Sequence, residues 1–131
     1  MTTQTTIDPT LLEPPDDATV AKALQEFAAL VRAHYGERVR GLYLFGSRAR
    51  GDHTPESDAD VAVVLADDGW RYWDEKMQLS DLSYEMLLND GAYIQAWPVT
   101  ITAWDAPDTY RNPSLIRAMQ RDGKAISDVA A

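Results

Sequence analysis

The sequence contains no cysteine, which excludes disulfides and thiol chemistry and fits a reducing compartment. It is also poor in basic residues, with 12 Lys and Arg against 21 Asp and Glu and a net charge of -9. Outside Arg48 and Arg50 there is no basic patch, so long nucleic acid is not an expected partner. An acidic chain that handles an anion must recruit a cation to do so. No apolar run approaches the roughly 18 residues of a membrane span, and no signal peptide is visible. The expectation is a cytoplasmic chain that does not contact membranes. At 131 residues it has room for one domain with a real core but not for a second, substrate-binding one.

Leu42 to Leu65 reads LYLFGSRARGDHTPESDADVAVVL: an apolar run, a Gly46-Ser47 turn, a polar loop, then two carboxylates entering a second apolar run. In an extended strand Asp58 and Asp60 project from one face, about 7 Å apart along the chain. Two ligands of one Mg2+ can use that spacing. The ion takes oxygen ligands and is commonly held by one or two carboxylates plus substrate phosphates. Ala62 and Val64 continue the Asp face; Ala59, Val61, Val63 and Leu65 form the other.

Antiparallel pairing of the two runs would bring Ser47 and Asp58 to one rim of the sheet, whereas a parallel crossover would separate them by a strand's length. The short connection favours the antiparallel pair. Gly46 permits close backbone approach to a ligand, and Ser47 can open a short helix whose free N-H groups face a phosphate. Arg48 and Arg50 add positive charge. A metal on one side with amides, a hydroxyl and guanidinium on the other is triphosphate-handling chemistry.

Around this hairpin the chain divides into recognisable pieces. Residues 1–15 are Thr-rich and broken by Pro9, Pro14 and Pro15, a loose N-terminal arm, leaving 16–131 as the folded domain. Asp16 or Asp17 caps a helix to Tyr35, with Val20, Leu24, Phe27, Ala28, Val31 and Tyr35 on one face and Gly36 as its stop. His34 reads as a surface residue at that helix's end, and His53 as a solvated loop residue. In the first strand, Val39 to Phe45, Leu42 and Leu44 alternate with Tyr43 and Phe45, as burial on both faces requires.

Asp67 and Asp68 are candidate caps for a long helix from about Gly69 to Leu88. It carries two stripes: Trp73, Met77, Ser80, Tyr84 and Leu87, and then Leu79, Leu82 and Met86. One can face the sheet and the other a partner, with Trp70, Tyr72 and Trp73 as anchors of an interface or as caps of the core. Asn89-Asp90-Gly91 is a turn. Ala92 to Val99 is a third strand with Tyr93, Gln95 and Trp97 on one face, and Pro98 restricts it to a sheet edge or a strand end. Thr100 to Tyr110 reads as a polar connection. Asn112 caps a last helix with Pro113 at its first position; Leu115, Ile116 and Met119 point inward, Gly123 ends it, and Ala125-Ile126 add a short strand.

Gly46-Ser47, the ten residues Arg48 to Ser57, and Asp58-Ala59-Asp60 resemble, position by position, the signature of the minimal nucleotidyltransferase (MNT) domains of the DNA polymerase β superfamily. The likeness extends more loosely to IQAWPVT and NPSLIRAMQRDGKAI. It implies the polymerase β-type nucleotidyltransferase fold, an α/β (α+β) arrangement with a small mixed β-sheet flanked by helices.

It further implies Mg2+-dependent transfer of AMP from ATP. Asp58 and Asp60 would be metal ligands and catalytic groups together with Ser47. Gly46, Ser47, Arg48, Arg50 and Gln95 would bind nucleotide. Small MNT proteins are often encoded beside an α-helical HEPN-type toxin, so the resemblance also implies an antitoxin that adenylylates a tyrosine of such a partner.

The family's catalytically complete members carry a third carboxylate on the third strand. This chain has no acid between Asp90 and Asp105, and Gln95 stands at the candidate position. An amide is no base, although a phenol acceptor, with a pKa near 10, requires less help than an alcohol. Two other readings stay open: a module that binds nucleotide and sequesters its partner without turnover, and a small-molecule nucleotidyltransferase whose homo-oligomer supplies the acceptor pocket in trans.

Overall fold

The computed structural model describes residues 13–126, so most of the expected N-terminal arm lies outside the described residues. The chain runs α1 (Asp17–Tyr35), β1 (Val39–Phe45), α2 (Ser47–Arg50), β2 (Ala59–Leu65), α3 (Tyr72–Asp90), β3 (Ile94–Thr100), α4 (Ile101–Asp105), α5 (Pro113–Asp122) and β4 (Lys124–Ala125), with 3-10 turns at Gly36–Arg38 and Pro107–Thr109. The sheet order is β3-β2-β1-β4. β1 pairs antiparallel with β2 and with β4, whereas β3 lies parallel to β2. It is therefore the small mixed sheet that the sequence predicts, with the hairpin at its centre.

Strand alternation produces two cores. On one face Leu42, Val61, Val63, Leu65, Ile94 and Ala96 meet Phe27, Val31, Leu79 and Met86 of α1 and α3. On the other, Phe45, Ala62 and Val99 meet Ala103 of α4 and Ile116 and Met119 of α5, while Tyr43 stacks on Trp104 at 4.8 Å. Each fully buried aliphatic or aromatic side chain contributes about 1.5–3 kcal/mol of transfer free energy. The Asp60 face of β2 is thus the α4 and α5 face. Among the described residues β3 has one sheet neighbour, which is how it tolerates Pro98.

Helix ends explain where the structure departs from the sequence reading. Asp16 caps α1, accepting from Thr19 N at 2.8 Å. Asp67 does not cap α3: it accepts from Thr102 N at 3.2 Å and from the Thr102 hydroxyl. It thereby satisfies one of the free first-turn donors of α4. α3 consequently starts at Tyr72, with Arg71 as an N-cap that makes no side-chain hydrogen bond. The expected polar connection after β3 is a helix because Thr100 caps it, accepting from Ala103 N at 3.1 Å. Asn112 caps α5 with Pro113 behind it, as predicted.

Glu75 is buried on α3, against the end of α1 and the 3-10 turn that follows it. Its carboxylate accepts from Tyr35 Oη at 3.3 Å and from Arg38 at 2.9 Å. Burial, followed by the Glu75 charge, raises the Tyr35 phenol far above its ordinary value, so this tyrosine is a fixed donor. Among the described residues no helix is long and apolar enough to cross a membrane.

Candidate functional site

The hairpin brings its two halves to one rim. Phe45 stands opposite Asp60 in the antiparallel pair, so the chain leaving β1 turns directly over the carboxylate. Gly46 makes that turn at φ 77°, and a Cβ built on it would lie 2.7 Å from Asp60 Oδ2. Only a residue without a side chain brings the backbone this near. Ser47 then opens the single turn of α2. Asp58 lies just before β2 and Asp60 is the second residue of that strand, the first exposed and the second half-buried.

The charge environment of Asp60 shows what the rim lacks. Burial pushes its carboxyl above the ordinary value, and the charge of Asp58 pushes the same way. The Trp97 indole, Lys76 and Arg50 pull it back only in part. A half-buried carboxylate raised by burial and by its neighbour's charge is one that a cation would stabilise. Among the described residues no three His, Cys, Asp or Glu side chains gather as a metal cluster. A hard cation seated here would take its remaining oxygens from phosphates and water, the usual arrangement for Mg2+.

Across the other seam of β2, Gln95 is the register partner of Asp60, and Trp97 that of Ala62. Neighbours in a ladder share a face, so Gln95 stands beside the carboxylate. The Trp97 ring lies 4.4 Å from Lys76 Nζ, and its buried Nε1 has no hydrogen-bond partner of proper geometry. Lys76 reaches from α3 around the edge of β3 and donates to the Ala96 carbonyl. Burial lowers its pKa, and the charge of Asp60 opposes that shift.

Lys76 and Trp97 are the members of this neighbourhood that sequence reasoning does not identify. The signal for Trp97 is its place two residues beyond Gln95 on the same face. Lys76 carries no such signal, since only the packing of α3 on β3 brings it there.

The two arginines separate. Arg48 has a buried side chain that donates to the Ser57 carbonyl at 2.9 Å and the Pro55 carbonyl at 3.2 Å, and meets Asp17 at 3.3 Å. Its donors are directed at the loop between α2 and β2, which it braces. Arg50 is half-exposed, pairs with Asp52 and Asp122 at 3.1 Å each, and is close enough to act on Asp60. His53 departs from the sequence expectation. Instead of being solvated, it is largely covered and meets Asp17 Oδ1 at 2.9 Å, tying the loop to the start of α1. His34 is exposed at the end of α1, as predicted.

Residues 22–110 match the nucleotidyltransferase domain family. A "putative protein adenylyltransferase" of Methanocaldococcus jannaschii is 39% identical over 75 residues, covering 57% of this chain and 68% of that protein. A second protein of the same organism and description is 31% identical over 71 residues, 50% of this chain and 71% of that one. The crystal structure of a "putative nucleotidyltransferase" from Sulfolobus solfataricus shares the fold, with a TM-score of 0.54 at 17% identity over 82% of this chain and 79% of that one. A glycine-serine turn against an Asp-x-Asp strand on this mixed sheet, together with the family match over residues 22–110, makes the chain a member of the nucleotidyltransferase domain family of the polymerase β superfamily.

Proposed function

We propose that this nucleotidyltransferase transfers AMP from ATP to a tyrosine of a protein acceptor, a HEPN-type helical toxin that it thereby restrains. The observation that carries the reading is the approach of the Gly46 backbone to Asp60 Oδ2, which sets the glycine-serine turn directly beside that carboxylate. Mg2+ held by Asp58 and Asp60 would supply charge stabilisation at the reacting phosphate.

Ser47 and the Gly46 backbone would bind the β and γ phosphates, with Arg50 beside them, so that the pyrophosphate end is fixed and charge developing on it is met by preorganised donors. The phenol oxygen forms a bond to the α-phosphorus as the bond to the bridging pyrophosphate oxygen breaks. The phenol proton passes to solvent. Gln95 cannot accept that proton, and orients nucleotide or acceptor through its amide. A phenol is the acceptor that best tolerates this lack. The described M. jannaschii relatives support a protein acceptor.

One observation favours a second reading. The neutral amide of Gln95 lies in register with Asp60, where a base would assist transfer, so the same surface can bind nucleotide and sequester the partner without turnover. Labelled ATP, Mg2+ and the neighbouring helical protein discriminate the two. Covalent label on the partner that disappears in Asp58→Asn supports transfer; a tight, unlabelled complex supports sequestration.

A further inference from the structure

α3 carries two stripes at the same helical spacing, and the fold uses one. Glu75, Leu79, Leu82 and Met86 turn to the core. Trp73, Met77, Ser80, Tyr84 and Leu87 recur at alternating steps of four and three residues, and turn outward. Trp73 is 73% exposed, Met77 66%, Tyr84 55% and Leu87 37%, with Leu88 and Tyr93 exposed beside them. Single exposed apolar side chains are ordinary, but a contiguous row of them on one helix is not. A mean repeat of 3.5 residues is the seam along which a second helix packs.

Charge decides what that second helix is. Asp74 and Asp81 follow Trp73 and Ser80 along the seam, and Glu85 follows Tyr84, all three exposed. The neighbouring cation, Lys76, is folded inward onto the Ala96 carbonyl and the Trp97 ring. A second copy of the chain would set acid against acid, in a protein already at -9. A helix with Lys or Arg flanking its apolar row is complementary. Beneath the seam a cavity of about 250 Å³ runs past Ser80 and Tyr84 to Gln95, the residue in register with Asp60.

We propose that the outer face of α3 is a docking seam for a basic amphipathic helix of the acceptor protein, which packs against Trp73, Met77 and Tyr84 and delivers the residue to be modified past Gln95. This rests on the reading of the site as one directed at a protein.

The test uses the full chain and two synthetic helical peptides of about three heptads with identical leucine seams. One is flanked by Lys and Arg, the other by Glu. The basic peptide is expected to bind, and Met77→Glu and Tyr84→Glu are each expected to weaken it at least about tenfold, the loss of one central anchor. Both variants alter exposed positions and keep the fold.

Failure of the basic peptide to bind, equal binding of the acidic peptide, or binding indifferent to Met77→Glu overturns the proposal. So does self-association of the chain that Met77→Glu abolishes, which would make the seam a contact between copies. Mg2+-dependent ATP binding is measured in parallel and should be the same for wild type and Met77→Glu. Its absence in the wild type would overturn the reading of the site while leaving the peptide result to judge the seam.

Discussion

Gly46 and Asp60 meet so closely across the head of the central hairpin that a Cβ on Gly46 would sit 2.7 Å from Asp60 Oδ2. The backbone there is also at φ 77°, which L side chains adopt only under strain. Gly46→Ala therefore carries two penalties: about 1–3 kcal/mol of backbone strain, and displacement of the carboxylate proposed to hold the metal. The expected outcome is a lower melting temperature together with loss of Mg2+-dependent ATP binding by calorimetry. Unchanged ATP binding would separate the turn from the site.

Asp60 is held above its ordinary pKa, by burial first and by Asp58 after it. A raised carboxyl contributes stability that is full below its unfolded pKa and is lost as pH rises through the folded one, so ionised Asp60 destabilises the fold at neutral pH. Asp60→Asn should accordingly melt higher than wild type at pH 7. The advantage should vanish below about pH 4, where the carboxyl is protonated in both states. The same variant should lose Mg2+-dependent nucleotide binding. Thermal melts at the two pH values decide it, and a variant less stable at pH 7 would make Asp60 a structural group.

The hairpin was legible because its physics is local. A two-residue period fixes which side chains share a face, and a short connection favours the antiparallel pair, so Ser47, Asp58 and Asp60 could be brought together before any tertiary contact was known. α3 was half legible. Both of its stripes are apolar at helical spacing, and nothing in the residues distinguishes the stripe containing Leu79 from the one containing Met77; the position of the sheet alone does. The brace made by Arg48 was illegible for a related reason, because a guanidinium beside a phosphate-binding turn and one folded back onto loop carbonyls have the same sequence. The helix at Ile101 did carry a signal in Thr100, a residue suited to capping, but Asp67 draws the reading toward α3 although the fold gives it to α4.

Gln95 lies in register with Asp60 on the adjacent parallel strand. Gln95→Glu adds a third carboxylate and a base at that rim. Mg2+ affinity should rise, and transfer to water, seen as conversion of ATP to AMP and pyrophosphate, should rise by at least about tenfold, below the usual span of general-base effects. Water is the better probe than a phenol because it depends more on the base. A variant that binds Mg2+ no better than wild type would mean that the amide side chain is directed away from the carboxylates.

Arg48 and Arg50 are two residues apart and should respond in opposite ways. Arg48→Ala leaves the Ser57 and Pro55 carbonyls without their donor, and the loss of hydrogen bonds to a charged group should cost about 2–3 kcal/mol of stability. Its contact with exposed Asp17 adds little to that figure. Arg48→Lys should recover only part, because an ammonium cannot serve two carbonyls with the geometry of a guanidinium fork. Arg50, paired at the surface, should leave stability near that of wild type when replaced by Ala, yet should weaken ATP binding through the lost charge near the phosphates. Denaturant melts and ATP titrations of the three variants give the comparison. Should Arg48→Ala lose nucleotide affinity with its stability intact, Arg48 would act on the phosphates and not as a brace of the loop.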